Sequence, residues 1–529
     1  MRADFREEIN PIIRSDYPDP DVIRVGDTYY MISTTMHFMP GGVILRSYDL
    51  AHWEIAAYLF DTLDGLPAER LEREESNYAG GMWAASLRYH NGRFYAAFMS
   101  HTSGKTWLFT AERIEGPWFR NTIQGTYHDC SLLFDDDGRI YIVYGQGEIR
   151  LTELSEDLSG PKPGGLDRIL VRETGKVLLG YEGSHIYKIQ GRYYLFLIHW
   201  PSTGSRRRTQ ACFAADSLTG EFSGKDVLDD DRGYCNQGVA QGGIVDTPDG
   251  RWYAVLFQDS GAVGRMPVLV PVRFEDGFPV FGTDGRIPAH MELAGSRPYY
   301  RYAPLYTSDD FLIGERQTGE EKAGEKDAAH RLRLPWQWNH AADPSLWTLL
   351  PGGGLLIRTG KTSINLTHAV NCLTQRAMWP KSGAEVELDA TGLREGDVAG
   401  LCILQGDYVY LGVIKEAGCY YLIKVVRGDE APKKAGTHSN YMPGSVVLRE
   451  RLDEPVVRLA VEAGFDQMKD TADFFRLKED RWVRVGKPVR LHYTLEHFAG
   501  ARFGLFVFST EAPGGEAVFR RFRYRYEYD

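Results

Sequence analysis

The chain has 529 residues, of which 43% are apolar and 25% are charged, and it carries a formal net charge of −11 at pH 7. This composition is typical of a folded protein and excludes a largely disordered or fibrous chain. The length favours two domains, and the acidity, without a Lys/Arg stripe, argues against nucleic acid or an anionic membrane as a partner.

The first eight residues are charged and lack the apolar stretch of a secretory signal, and no later apolar run reaches membrane-spanning length. We therefore expect a cytoplasmic protein with no membrane partner. The cysteines show neither CxxC spacing nor the density of a disulfide scaffold, so we expect reduced core residues. They are Cys130, Cys212, Cys235, Cys372, Cys402 and Cys419.

A short glycine–aromatic unit recurs five times within the first 300 residues. Its copies begin at Gly26, Gly92, Gly138, Gly191 and Gly250. Each copy opens an alternating apolar strand and follows another strand-like run, which is typical of a β-hairpin. The spacing of roughly 45 to 65 residues suits one four-stranded propeller blade plus a variable loop. Residues 1–307 are therefore predicted to form a five-bladed β-propeller, with a Greek-key sandwich as the alternative.

Acidic residues recur at one position of these repeats. Nine residues before the hairpin glycine lie Trp83, Asp129, Glu182 and Gln241, and Asp19 lies seven residues before the first glycine. If the first strand of each hairpin is innermost, these positions converge around the propeller axis. Taken singly, each acid is equally compatible with a turn or a strand cap.

Three acids at the lip of buried strands match the needs of glycosidic cleavage. Burying a charged side chain that has no partner or function costs free energy. One carboxylic acid protonates the leaving oxygen, and a second carboxylate activates water on the opposite face of the sugar. A third can raise the pKa of the acid and orient it, because like charges favour keeping one proton.

The second half of the chain has a different pattern. Residues 308–330 are charged and lose strand patterning, which predicts a linker or exposed loop. Residues 331–529 contain runs typical of strands, including 384–390, 400–413 and 503–509, and predict a β-sandwich accessory domain. The predicted fold class is all-β, a five-bladed β-propeller followed by a C-terminal β-sandwich.

With these motifs the chain resembles glycoside hydrolase family 43, the β-xylosidases and α-L-arabinofuranosidases, and in particular its two-domain members. The matching strings are Tyr17-Pro-Asp-Pro20, Met82-Trp-Ala-Ala-Ser-Leu87, His128-Asp-Cys-Ser-Leu132, Tyr181-Glu-Gly-Ser-His185, Gly264-Arg-Met-Pro267 and Leu334-Pro-Trp-Gln-Trp-Asn-His340. The resemblance implies that Asp19 is the general base, Asp129 the orienting carboxylate that modulates the acid's pKa, and Glu182 the general acid.

The resemblance also implies substrate-binding residues. Arg265 falls where the family places an arginine that reaches toward the sugar, with a surface role as the alternative. Trp83, Met36 and Phe38 fall where such enzymes line the pocket, although each is also compatible with plain core. Gln241 stands where some relatives have a histidine linked to a metal or water, so neither a central calcium ion nor any metal ligand is predicted. His128, His185 and His199 are interpreted as hydrogen-bonded wall residues.

The sequence thus predicts an inverting, exo-acting glycoside hydrolase that needs no cofactor. It would release terminal β-D-xylose or α-L-arabinofuranose from xylo- or arabino-oligosaccharides during xylan degradation, and the sequence leaves both sugars open. Inversion implies acid and base carboxyls about 6.5 to 9.5 Å apart. A sandwich loop near residues 509–515 is expected to close one side of the pit. A homo-oligomer is compatible with the sequence, and a non-catalytic carbohydrate-binding propeller is the alternative function.

Overall fold

The computed structural model describes residues 8–313, 332–428 and 442–526. Within these ranges the chain consists of β-strands joined by loops and single 3₁₀ turns. The 3₁₀ turns are Pro67–Glu69, Gly261–Val263, Pro344–Leu346, Leu366–His368 and Asp466–Met468. No helix in the described ranges has the length and apolarity needed to cross a membrane.

Five antiparallel sheets form the N-terminal half, and each is built from four strands consecutive in sequence. Blade 1 comprises Asp21–Val25 (β1), Thr28–Ser33 (β2), Gly41–Ser47 (β3) and Glu54–Phe60 (β4). Blade 2 comprises Met82–His90 (β5), Arg93–Ser100 (β6), Lys105–Ala111 (β7) and Phe119–Ile123 (β8). Blade 3 comprises Ser131–Phe134 (β9), Ile140–Tyr144 (β10), Glu148–Leu154 (β11) and Asp167–Arg172 (β12). Blade 4 comprises Val177–Ile189 (β13), Arg192–Pro201 (β14), Thr209–Ala215 (β15) and Ser223–Leu228 (β16). Blade 5 comprises Val239–Asp246 (β17), Trp252–Asp259 (β18), Arg265–Glu275 (β19) and Phe278–Phe281 (β20).

The first strand of each blade lies innermost. Strand β1 contacts β5, and the contacts continue through β9, β13 and β17 back to β1, so the sheets close a ring. The five predicted hairpins join the first and second strands of the blades. Their glycines all have positive φ, between 64° and 82°, a region that glycine adopts without a steric penalty. The predicted five-bladed propeller is confirmed, and the Greek-key alternative is wrong for this half.

The N-terminal segment closes the ring against β19 of the last blade. The Asn10 side chain donates to the Leu269 carbonyl and accepts from the Leu269 N–H, both at 2.8 Å. The Tyr17 N–H donates to the Arg265 carbonyl at 3.0 Å. Because the chain continues from Tyr17 through Asp19 into β1, this closure also fixes the backbone that carries the first acid.

The C-terminal half is a sandwich of two antiparallel sheets. One sheet has the order β21-β24-β34-β26-β27-β28-β29. Its strands are Gln337–Trp338 (β21), Leu373–Arg376 (β24), Asp397–Leu404 (β26), Tyr408–Glu416 (β27), Cys419–Arg427 (β28), Ser445–Leu452 (β29) and Arg502–Ser509 (β34). The other has the order β22-β23-β35-β25-β30-β31-β32, and β33 pairs with β31. Its strands are Trp347–Leu349 (β22), Leu355–Arg358 (β23), Lys381–Asp389 (β25), Val456–Gly464 (β30), Thr471–Lys478 (β31), Arg481–Arg484 (β32), Val489–Arg490 (β33) and Glu516–Tyr526 (β35). The predicted β-sandwich is confirmed.

Several details differ from the sequence predictions. The run 400–413 is not one strand, because Gln405, Gly406 and Asp407 turn the chain between β26 and β27. The predicted linker 308–330 lies largely outside the described residues, but Asp309 and Phe311 at its start are buried, and Asp309 pairs its backbone with Phe522 of the sandwich.

All six cysteines are free thiols, but they do not share one environment. Cys130, Cys212, Cys372 and Cys402 are buried as predicted, and Cys419 is half-buried. Cys235 is exposed, so its prediction as a core residue is wrong. It follows Tyr234 in the connection between β16 and β17, where the chain runs over the surface rather than through a sheet.

The two halves share an apolar core at the end of the propeller where the innermost strands begin. Ala262, Val263 and Met266 of blade 5 belong to the same buried cluster as the sandwich interior. Phe38, from the loop between β2 and β3, packs into a second sandwich cluster. The sandwich therefore covers part of the propeller end on which the acids lie.

Candidate active site

The acids lie where the innermost strands begin. Asp19 is two residues before β1 and Asp129 is two residues before β9, and both have positive φ, 51° and 48°. Glu182 lies in β13 at a shift in register with β14. Similar shifts occur around Trp83 in β5 and Gln241 in β17. Such bulges re-aim side chains, and here they occur at the equivalent position of three blades.

Asp129 and Glu182 form a compact cluster with His128. The His128 Nε2 atom lies 3.8 Å from Asp129 Oδ1 and 3.6 Å from Glu182 Oε2. The Gly183 N–H donates to Asp129 Oδ2 at 3.1 Å, and Gln146 Nε2 donates to Glu182 Oε2 at 2.6 Å. One ligand atom from each of the three residues lies within 4.8 Å of the others, a spacing that could hold a metal ion. The same spacing places an imidazolium between two carboxylates.

The charges of this cluster shift its protonation. Burial raises the pKa of Asp129 to about 7, with His128 opposing the shift and the charges of Glu182 and Asp19 adding to it. Burial would lower the pKa of His128, but the Glu182 carboxylate, together with Asp129 and Asp19, raises that pKa to about 9. The neighbouring carboxyl groups thus favour the protonated form of His128, and burial favours the protonated form of Asp129.

Asp19 is held differently, by an arginine. Arg265 Nη1 lies 2.7 Å from Asp19 Oδ1, and the residues are only 3% and 6% exposed. Burial raises the pKa of Asp19 above its ordinary value, and the Arg265 guanidinium opposes this shift. The Nε and Nη2 atoms of Arg265 are buried and have no hydrogen-bond partner among the described residues. Buried donors left unpaired are costly, so they suit a ligand that supplies acceptors.

Aromatic side chains from both domains surround these groups. The Trp83 ring lies 3.9 Å from His101, 5.7 Å from His128 and 5.6 Å from Phe498, measured between ring centroids. Phe498 comes from the sandwich loop between β33 and β34, and its ring lies 4.5 Å from the Arg265 guanidinium carbon. Aromatic faces beside polar donors are the usual wall of a sugar-binding pocket.

The structure thus brings Asp129, Glu182 and Trp83 together around His128, and links Asp19 to Arg265. Gln241 is close to this group, because its side chain fills the space beside the Gly183 Cα. Met36 and Phe38 are each only 2% exposed.

Their contacts give Met36 and Phe38 packing roles. Met36 pairs its backbone with Met82, and the Phe38 ring lies 3.5 Å from the Arg502 guanidinium carbon of the sandwich. Their substrate-binding role stays a prediction.

Sequence reasoning missed three of the surrounding side chains. Gln146 lies in the turn between β10 and β11, and His101 follows β6, so both occupy blade loops on the acid-bearing end of the propeller. Counting second-to-third strand loops in each repeat could have found them. Phe498 gave no such signal, because its position depends on how the sandwich docks.

The role expected of the loop near residues 509–515, closing one side of the pit, stays a prediction. Thr359 accepts hydrogen bonds from Gly514 and Gly515, and Thr510 bonds to Gly396, so this loop contacts its own sandwich.

Carboxyl groups from separate blades, gathered at one end of a propeller, are the groups that a glycoside hydrolase needs, since these enzymes cleave with paired carboxyl groups. The chain belongs to glycoside hydrolase family 43. Residues 9–279 match the family "Glycosyl hydrolases family 43", and residues 328–525 match "Beta xylosidase C-terminal Concanavalin A-like domain".

Relatives cover both halves. The xylosidase/arabinosidase 43B of Humicola insolens is 33% identical, and the alignment covers 98% of this chain and 97% of that protein. A β-xylosidase of Formosa agariphila is 28% identical over 77% of this chain and 74% of its own. The solved bifunctional GH43-CE protein of Bacteroides eggerthii is 41% identical with a TM-score of 0.87; the match covers 98% of this chain and 63% of that one.

These matches confirm the resemblance seen in the sequence motifs and the predicted class of enzyme. Members of the family are inverting hydrolases of the xylosidase and arabinofuranosidase type. The matches give no support to a non-catalytic propeller.

Proposed function

We propose that this protein is an exo-acting, inverting glycoside hydrolase that releases terminal β-D-xylose or α-L-arabinofuranose from xylo- or arabino-oligosaccharides. The observation that carries the proposal is the placement of three acids in two different environments at one end of the propeller axis. Asp19 is paired with a guanidinium, whereas Asp129 and Glu182 share a cluster with His128.

The two environments suit the two halves of a single displacement. Arg265 favours the ionised form of Asp19, so Asp19 takes a proton from water as the water oxygen bonds to the anomeric carbon. Glu182, oriented by Gln146, gives its proton to the glycosidic oxygen as the bond from carbon to that oxygen breaks. One sugar leaves with inverted configuration, and the remaining oligosaccharide leaves with the transferred proton.

Asp129 and His128 act on the acid rather than on the sugar. The Asp129 carboxyl is fixed by the Gly183 N–H and lies in one cluster with Glu182 and His128, so it can orient the acid. Protonated His128 offsets the free-energy cost of burying the carboxyl groups of Asp129 and Glu182 close together. We also propose that the protein acts in the cytoplasm and that the reaction needs no cofactor.

The aromatic and arginine contacts support recognition of one terminal sugar. The Nε and Nη2 atoms of Arg265 have no hydrogen-bond partner in the described part of the chain, and Phe498 of the sandwich lies beside the guanidinium. In this proposal Phe498 closes the side of the site that faces the sandwich, so a chain end enters rather than the middle of a chain, which is exo action. The relatives are named as xylosidases and arabinosidases, so both pentoses remain candidates.

The test is to compare turnover of 4-nitrophenyl β-D-xylopyranoside and 4-nitrophenyl α-L-arabinofuranoside. We expect hydrolysis of at least one, unchanged after dialysis against EDTA. Asp19→Asn should lower kcat by about 100-fold or more, because it removes the base. Asp137→Asn is the matched control, since Asp137 lies in the hairpin at the opposite end of blade 3. Absence of turnover on both pentosides would contradict the proposal.

A further inference from the structure

One buried carboxylate joins the two domains beside the proposed site. Asp16 Oδ1 accepts a hydrogen bond from the backbone N–H of Arg265 at 2.8 Å, and Asp16 Oδ2 accepts one from the backbone N–H of Gly500 at 2.7 Å. Arg265 begins β19 of the propeller, whereas Gly500 belongs to the sandwich loop that carries Phe498. Each oxygen thus binds a different domain.

The backbone around Asp16 is built to fit it closely. A methyl group added at Gly264, which has φ of 103°, would overlap Asp16 Oδ1, and one added at Gly500 would overlap the Val263 carbonyl and the Asp16 side chain. The Asp16 carbonyl accepts from Arg376 Nε at 2.8 Å, and the residue is 4% exposed. The carboxylate therefore has little freedom to move without displacing both partners.

Both partners lead directly to the proposed site. The guanidinium of Arg265 pairs with Asp19 at 2.7 Å, and Phe498, two residues before Gly500, lies 4.5 Å above that guanidinium. Phe498 also faces Trp83. The Asp16 carboxylate thus fixes the backbone on both sides of the contact between Arg265 and Phe498.

We propose that Asp16 is a positioning residue for sugar cleavage. It fixes the position of Arg265, which pairs with the proposed base Asp19, relative to Phe498, the aromatic side chain that the sandwich supplies. This inference rests on the proposed function. Asp16 bonds to backbone groups and acts through Arg265 and Phe498. The sandwich is then part of the catalytic pocket, and Asp16 is a side chain that bonds both domains beside it.

A second carboxylate at the same interface provides a matched control. Asp470 of the sandwich accepts a hydrogen bond from the Ala262 N–H at 2.5 Å, and it is as buried as Asp16. Its side chain bonds one propeller N–H, and its backbone carbonyl accepts from the Leu491 N–H at the start of the Phe498 loop, a contact that Asp470→Asn leaves in place. An asparagine at position 470 still offers an oxygen to Ala262, whereas an asparagine at position 16 offers one oxygen to two N–H donors.

The experiment compares Asp16→Asn and Asp470→Asn in the full chain with the better nitrophenyl pentoside. For Asp16→Asn we expect kcat/KM to fall by about 100-fold, because a displacement of about 1 Å in a catalytic group costs that much. The acid limb of the pH profile should also move to higher pH. A displaced Arg265 no longer lowers the pKa of Asp19, and this effect outweighs the loss of the Asp16 charge, which raises that pKa less, while Thr34 and Arg208 still lower it. Asp470→Asn should leave both quantities unchanged.

The outcomes separate the two proposals. If the unmodified protein cleaves neither pentoside, the proposed function fails. If it is active and Asp16→Asn keeps the parent's kcat/KM and acid limb, the positioning role is wrong. Should Asp16→Asn not fold, Gly500→Ala tests the same contact, because its methyl group would press on the Asp16 side chain and the Val263 carbonyl. We expect kcat/KM to fall, and an unchanged kcat/KM would overturn the inference.

Discussion

At the scale of single residues, the carboxyl groups of the site differ in their neighbouring side chains. Asp19 has a permanent cation at 2.7 Å, while Asp129 is buried beside a histidine and a second carboxyl group. The register of the repeats predicted that Asp129 and Glu182 would meet, whereas Asp19 lies off that register. The register could not predict their partners, because His128 and Gln146 come from positions outside the shared register.

The assignment of Glu182 as proton donor predicts a dependence on the leaving group. Glu182→Ala should lower kcat/KM on natural oligosaccharides far more than on aryl glycosides, because a nitrophenolate leaves without a proton. The measurement is a comparison of xylobiose or arabinobiose with the matching nitrophenyl sugar. Equal losses on both substrates would count against the acid role.

At the scale of elements, loops at one end of the propeller supply the surroundings of the acids. The hairpin glycines identified the turns at the other end, since a positive φ there requires glycine. The prediction for the sandwich missed a turn: Gln405, Gly406 and Asp407 interrupt the run 400–413, and this polar segment with a glycine is a turn signal that the flanking apolar residues outweighed.

Asp470, in the loop before β31, is expected to make the stability of the protein depend on pH. Burial raises the pKa of Asp470 from its ordinary 3.8 to about 6, and its Oδ1 has no hydrogen-bond partner among the described residues. The folded protein therefore binds this proton more tightly than the unfolded chain, so the group's contribution is present below pH 4 and is lost as pH rises through 6.

Asp470→Asn removes this dependence. Relative to the parent, the variant's free energy of unfolding should rise between pH 4 and pH 7, by about 3 kcal/mol at most. Denaturation midpoints of both proteins at the two pH values provide the measurement. If the difference in unfolding free energy between variant and parent stays constant or falls across this range, burial does not raise the pKa of Asp470.

At the scale of the whole molecule, the two halves are separate in sequence but share a core. Ala262, Val263 and Met266 pack with the sandwich interior, and Phe38 packs under Arg502. Composition and strand spacing predicted both architectures. They could not predict the docking, since it joins residues more than 200 positions apart, such as Ala262 and Asp470.

The shared core predicts that the sandwich is required for activity. A chain ending at residue 313 would expose the apolar residues of blade 5 and lose Phe498 and the Gly500 contact. We expect aggregation or a loss of kcat/KM of at least about 100-fold. The check is the activity and solubility of the truncated chain beside the full chain, and a soluble propeller with full activity would contradict this prediction.

The central claim is that carboxyl groups from separate blades cleave the glycosidic bond in one displacement. The most direct test is to follow hydrolysis of a β-xyloside by proton NMR and identify the anomer formed first. A single displacement forms α-xylose first, which then mutarotates to the equilibrium mixture. β-Xylose as the first product would require a covalent intermediate and would contradict the roles given to Asp19 and Glu182.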